Sequence, residues 1–273
     1  MDPKPTNELT DIFGLIGHPL GHSFSAAYFR RKFELEGLQG FAYLNFDLPD
    51  LASGIPALKA DARCRGFNVT IPYKRDIFPF LDALSPDAQA IGAVNTIKVE
   101  ADGRWTGYNT DYIGFYESLS LFLPQGEKPA ALVLGNGGAS QAVQYALYSH
   151  GIPYLLVCRQ PQAVERKAFV PRQILGYEEL TPELVAQCRL IVNTTRLGML
   201  PEVDSFPEIP YSAVSERHYA FDLVYNPENT AFMHRCAERG AKTCNGLQML
   251  HNQAEGAWRI WRENTAVSGL WSE

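Results

Sequence analysis

The sequence lacks the features that mark several large classes of protein. No apolar run approaches the length of a membrane span. A basic excess is missing too: the net charge is −6, which gives no sign of a phosphate-reading surface. The five cysteines, Cys64, Cys158, Cys188, Cys236 and Cys244, are odd in number and show no C-x-x-C spacing. Neither a disulfide framework nor a structural zinc site is therefore expected. Histidines number only six, and no metal is expected. The opening MDPKPTNELT has no apolar stretch, so no signal peptide is expected. Fixed-period repeats and low-complexity segments are absent as well. Together these gaps predict a cytoplasmic protein with reduced thiols and neither nucleic acid nor membrane as a partner.

What is present is apolar content for one large core or two ordinary ones: 46% of the 273 residues are hydrophobic and 20% are charged. Short apolar stretches alternate with helical patterns, the mark of an α/β protein with a largely parallel sheet. Strands are predicted at IFGLIG (12–17), FAYLNFDL (41–48), GFNVT (66–70) and VNTIKVE (94–100). The last makes a hairpin through the Asp-Gly of ADGR with WTGYN (105–109). Helices are predicted at 25–36, 51–60, 74–84 and 87–91. TDYIGFYESLSLF (110–122) is apolar at helical spacing, and LPQGEKPA (123–130) then breaks the pattern. The main boundary is placed at that helix. YLLVCR, LIVNTT and YAFDLVY are further buried strands, and LQMLHNQAEGAWRIWREN (247–264) is a last helix.

LVLGNGGAS follows a strand and opens a helix. Gly135 and Gly137 fit the first two positions of G-x-G-x-x-G, and Ser140 takes the third, where a small residue suffices for helix–strand packing. Such a turn lets the backbone approach a pyrophosphate at the helix N-terminus. At the end of the next strand an NAD enzyme tends to carry an acid. This chain has Arg159 there, which suits a 2′-phosphate and favours NADP, with Arg166 and Lys167 as further cations. The plainer alternatives are a tight turn without ligand and solvated surface cations.

In the first half, polar residues cluster where strands should end: GHSFS (21–25), NVT (68–70) with Lys74, AVNT (93–96) and GYNTD (107–111). In open α/β sheets ligands sit at those ends. The pattern suits a small, hydroxyl-rich ligand. Each residue also has a plainer role. Ser23 or Ser25 can cap the first helix, Asn109 and Thr110 can cap the helix at Asp111, and Asn95 can form a turn. Lys74 can be an exposed cation.

Seven stretches, GHPLGHSFS, GFNVTIPYK, GAVNT, YNTD, GNGGAS, DLVYNP and NGLQMLHNQA, occur in this order. Together they resemble the shikimate dehydrogenase family, from about residue 12 to 261. The resemblance implies an NADP(H)-dependent, reversible reduction of 3-dehydroshikimate to shikimate, in aromatic amino-acid and chorismate biosynthesis. It implies an N-terminal α/β substrate domain with a mostly parallel sheet, 1–112, completed by 247–273. The remainder, 113–246, is implied to be a Rossmann-like NADP domain. Lys74 is implied as catalytic acid/base with Asp111 beside it. Ser23 and Ser25 are implied to bind the substrate carboxylate, Asn68 and Thr70 to line the pocket, and Asn95 and Asp111 to hold ring hydroxyls. Tyr225 and Gln253 fall on the substrate side. Gly135, Asn136, Gly137, Gly138, Ala139, Arg159, Thr194, Val224 and Gly246 fall on the cofactor side.

The chain departs from the family pattern at several points. Ala26 and Arg196 replace common prolines, and Tyr28-Phe29 replaces a usual His-Asn. Tyr112 replaces a glycine and is expected to narrow the pocket mouth. Of the nucleotide signature Asn-Arg-Thr, only the arginine of Cys158-Arg159-Gln160 remains. Two other readings stay open: a quinate/shikimate dehydrogenase with relaxed substrate or NAD use, and a nucleotide-binding regulator without turnover. The Lys74–Asp111 pair speaks against the second. Monomer and homodimer are both compatible with the sequence.

Overall fold

A computed structural model of the chain describes residues 9–21, 24–165 and 167–263. Strand β1 (Asp11–Gly17) leads to helix α1 (Phe24–Leu35), β2 (Phe41–Asp47), α2 (Leu51–Ala60) and β3 (Cys64–Val69). Next come β4 (Ala83–Leu84), α3 (Pro86–Ile91), β5 (Thr96–Val99), β6 (Trp105–Tyr108) and α4 (Asp111–Phe122). They are followed by β7 (Ala131–Leu134), α5 (Gly138–Ser149), β8 (Tyr154–Val157), β9 (Gln173–Leu175) and α6 (Pro182–Gln187). The chain continues through β10 (Leu190–Asn193), β11 (Tyr219–Asp222), α7 (Ala231–Ala237), β12 (Lys242–Cys244) and α8 (Leu247–Arg262).

Two compact units result. Of the described residues, one unit holds those up to Thr110 and those from Ala254 to Glu263; the other holds those between Asp111 and Gln253. The division therefore falls after Thr110 and inside α8, where the sequence placed it after Tyr112 and before Leu247.

The first unit is built on a sheet in the order β2-β1-β3-β5-β6-β4. The β1–β2 and β1–β3 pairings are parallel, and β5 runs antiparallel to both β3 and β6. Alternation along the strands feeds two cores. Ile12, Ile16, Phe67, Val69 and Ile97 pack with Leu51, Ile55 and Leu58 of α2. Phe13, Leu15 and Tyr43 pack with Phe29 and Phe33 of α1 and with Ala254, Ala257, Trp258 and Trp261 of α8. Trp261 also donates its indole N–H to the Ile97 carbonyl at 2.9 Å, so α8 is fastened to β5.

The helix expected over 74–84 is not formed. Turns and a short 3₁₀ segment (Phe78–Phe80) stand there, followed by β4. Pro79 has no amide to give, and the Lys74 carbonyl is taken by Val94 N–H at 2.8 Å instead of by its own turn.

The second unit carries a sheet in the order β12-β11-β10-β7-β8-β9, with its pairings parallel. That is the doubly wound 3-2-1-4-5-6 arrangement of dinucleotide-binding folds. Its strands are buried on both faces, so they read as continuous apolar runs. Val133, Leu156, Val192 and Phe221 face the core shared with Phe115 of α4, Val143 of α5 and Met249 of α8. Leu132, Leu134, Leu155, Val157, Ile191 and Ala220 face the core shared with Val185 of α6 and Phe232 of α7.

Candidate active site

In the first unit a buried polar network lies at the carboxyl end of β3 and the amino end of β5, which run antiparallel. The Tyr43 hydroxyl donates to Oδ1 of Asn68 at 2.8 Å and also hydrogen-bonds with Ser25. Burial pushes the Tyr43 phenol far above its ordinary range, so it stays protonated. Asn68 Nδ2 donates to the Asn95 carbonyl at 3.3 Å and to Thr96 Oγ1 at 3.2 Å. Asn95 accepts the Thr110 amide on Oδ1 at 2.7 Å and donates to Thr110 Oγ1 at 3.0 Å. Asn109 donates to the Ala93 carbonyl at 2.9 Å. The network thus links α1, β2, β3, β5 and the residue that precedes Asp111.

Thr70 and Lys74 border this network. Thr70 N–H donates to the Ile16 carbonyl at 2.9 Å, extending the β1–β3 ladder just past Val69. Lys74 is half-buried, and its carbonyl bond to Val94 fixes it next to Asn95. Ser23 lies outside the described residues; Ser25 stands in the first turn of α1. His18, four residues before His22, turns to Asp47 at 2.6 Å, and its hydrogen bond holds that carboxyl below the usual range. No group of three or more metal-ligating side chains occurs among the described residues.

Two departures from the family pattern have places here. Phe29 stacks on Tyr43 with centroids 4.7 Å apart and planes 11° apart, and so backs the network. Tyr28 donates to Glu255 of α8, which also accepts Lys32 at 2.8 Å.

In the second unit the glycine turn sits at the switch point between β7 and β10. Gly135 has φ +102°, and a Cβ there would meet Thr194 Oγ1 at 2.9 Å. Thr194 Oγ1 donates to the Leu134 carbonyl at 2.6 Å. Ser140, at the third glycine position, donates to the Gly135 carbonyl at 2.5 Å and so pins the turn. A Cβ at Gly137 or Gly138 would enter open space, and no side chain caps the first turn of α5, which follows Asn136 and begins Gly138-Ala139. This open, uncapped turn fits a pyrophosphate.

Arg159 is exposed just beyond β8. Lys167 is turned to Gln141 Oε1 at 2.7 Å and lies over Phe169, while Arg166 is outside the described residues. Val224 is buried beyond β11, next to Tyr225, which is exposed. Gly246 precedes α8, and a Cβ there would overlap the Leu223 carbonyl. Asp111 opens α4 and is buried. Gln253 is buried on α8, where Nε2 donates to the Leu250 carbonyl at 3.0 Å. Tyr112 packs edge-on against Tyr145, with centroids 5.2 Å apart, within the second unit's own core.

Sequence reasoning missed Tyr43, which only the alternation of β2 places inward, and Asn193 and Asp222, which end β10 and β11 inside quoted motifs. Asp222 is fully buried and accepts Asn193 Nδ2 at 2.9 Å, Val224 N–H at 3.0 Å and Thr230 Oγ1 at 2.6 Å. Burial raises its carboxyl to about 6, against the pull of those three donors.

The sheet order and the open glycine turn define a two-unit α/β protein whose second unit has the dinucleotide-binding fold. Comparison with known proteins makes this specific. The family model for the shikimate dehydrogenase substrate binding domain matches residues 15–97. A shikimate dehydrogenase (NADP(+)) of Desulforamulus reducens is 37% identical over 95% of this chain and 92% of its own length. The crystal structure of shikimate dehydrogenase from Aquifex aeolicus superposes with a TM-score of 0.83 at 35% identity, covering 93% of each chain. That of the Thermus thermophilus shikimate 5-dehydrogenase, in complex with NADP(H) and shikimate, has a TM-score of 0.80 at 36% identity, covering 93% of this chain and 94% of that one. The chain belongs to the shikimate dehydrogenase family. No helix among the described residues is long and apolar enough to cross a membrane.

Proposed function

We propose that the protein catalyses the reversible, NADP(H)-dependent reduction of 3-dehydroshikimate to shikimate in the cytoplasm. The observation that carries this reading is the likeness, over 93% of the chain, to an enzyme structure holding both NADP(H) and shikimate. The open glycine turn and the polar network at the strand ends of the first unit support it from this chain's own residues.

NADPH, when bound, supplies the hydride that reaches the substrate carbonyl carbon. Lys74 delivers the proton to the carbonyl oxygen and takes it back in oxidation, with Asp111 as the second acid–base residue. Ser23 and Ser25 receive the carboxylate. Asn68 and Thr70 line the pocket, Asn95 and Asp111 hold ring hydroxyls, and Tyr225 and Gln253 complete the substrate side. Because Tyr43 holds Ser25 and Asn68 together, it fixes the spacing between carboxylate and ring.

Gly135, Asn136, Gly137, Gly138 and Ala139 would hold the pyrophosphate and Arg159 the 2′-phosphate, with Thr194, Val224 and Gly246 also on the cofactor side. A small molecule and its cofactor are the partners, with no nucleic acid or membrane, and the enzyme acts as a monomer or homodimer.

The test is an assay of purified protein with shikimate and quinate against NADP⁺ and NAD⁺. Turnover of shikimate with NADP⁺ as the best pair is the expected outcome. Preference for quinate or NAD⁺ would replace the reading with the relaxed one, and no turnover would overturn it.

A further inference from the structure

The segments of the second unit on the cofactor side are tied to one buried side chain, that of Asp222. Oδ1 of Asp222 accepts from Asn193 Nδ2 at 2.9 Å and from the Val224 amide at 3.0 Å. Each bond leads on. Asn193 Oδ1 accepts the amide and the hydroxyl of Thr195, at 3.0 and 2.7 Å. Thr194 and Thr195 form the wall on which Gly135 rests, since a Cβ there would lie 2.9 Å from Thr194 Oγ1 and 3.0 Å from Thr195 Cγ2. On the other side, the Val224 carbonyl accepts the Gly246 amide at 3.3 Å. One oxygen atom thus connects the wall of the glycine turn with the Val224–Gly246 segment. The other oxygen serves a different end. Oδ2 accepts Thr230 Oγ1 at 2.6 Å, and Thr230 caps α7 by accepting Met233 N–H at 3.3 Å.

We propose that Asp222 is a positioning residue for dinucleotide binding, acting through Oδ1 on the Thr194–Thr195 wall and on Val224–Gly246. The proposal rests on the reading of the second unit as an NADP site. What the position requires is an acceptor at Oδ1, not a charge. An asparagine meets that need: its amide oxygen takes the place of Oδ1 and its amide nitrogen donates to Thr230 Oγ1. Alanine meets neither need and leaves Asn193 and Val224 N–H without their acceptor in a buried place.

The test is calorimetric titration of NADP⁺ into the full chain, with urea unfolding of each variant alongside. Asp222→Ala and Asn193→Ala are expected to weaken NADP⁺ binding on the order of tenfold. Asp222→Asn should bind like the wild type. Thr230→Val removes the helix cap and lowers stability, yet leaves both cofactor arms in place, so its affinity should be unchanged. If affinity follows stability across all four variants, or is unaltered in both alanine variants, the positioning role is wrong. Should Asp222→Ala fail to fold, Asn193→Ala against Thr230→Val decides the matter. Failure of the wild type itself to bind NADP⁺ would overturn the cofactor reading, and this inference with it.

Discussion

Tyr43 and Asn68, on strands that are not neighbours in the sheet, are joined by a 2.8 Å hydrogen bond whose donor is the phenol. The same hydroxyl meets Ser25, so one side chain links α1 to β3. Tyr43→Phe removes that link and leaves a buried amide oxygen without its donor. Stability should fall by about 1–3 kcal/mol. The KM for shikimate should rise more than kcat falls, because the group positions and does not react. Steady-state kinetics with urea unfolding checks both. An unchanged KM would separate the network from the substrate site.

Lys74→Ala should lower kcat by about 10²–10⁴-fold, the usual worth of a positioned general acid, with a smaller change in KM. Asp111→Asn should lower kcat similarly. Near-normal turnover of purified Lys74→Ala would remove the proton-transfer role from this residue.

Arg159→Ala should raise the KM for NADPH far more than that for NADH. Arg159 is exposed beyond β8, and Lys167 is already engaged by Gln141 and Phe169. Parallel assays with the two cofactors measure the ratio. Equal effects on both would refute the contact with the 2′-phosphate.

Asp222 should leave a signature in stability against pH. Its carboxyl is raised to about 6 in the fold, from 3.8, so the native state holds a proton that the unfolded chain releases. The stabilisation is complete below the unfolded value and is lost as pH rises through the folded one. Wild-type stability relative to Asp222→Asn should therefore fall between about pH 4 and 6, by on the order of 3 kcal/mol, and level off above. Urea unfolding of both proteins over that range reads it directly. A flat difference would mean the carboxyl titrates normally.

Legibility in the sequence follows the physics of each element. The apolar runs of β7, β8, β10 and β11 and the turn at Gly135 declare themselves, because burial on both faces and a positive φ each demand particular residues. The helix expected over 74–84 failed because the Lys74 carbonyl is claimed by Val94, a contact no local pattern encodes. The three-residue strands β9 and β12 are too short to show a period. Among the candidate site residues, Lys74, Asn95 and Asp111 could be singled out because each falls in a short polar motif at a strand end. Tyr43 could not, since its partners Ser25 and Asn68 come from other elements. Asn193 and Asp222 were quoted as strand residues without a role, because only the sheet places them side by side.

The last helix gives Met249 to one core and Ala254, Ala257, Trp258 and Trp261 to the other. During synthesis, then, β1, β2 and α1 emerge with Phe13, Phe29 and Phe33 uncovered. The tryptophans that cover them follow only after the whole of the second unit, on the order of ten seconds later. The nascent first unit passes that interval with an aromatic face open to solvent.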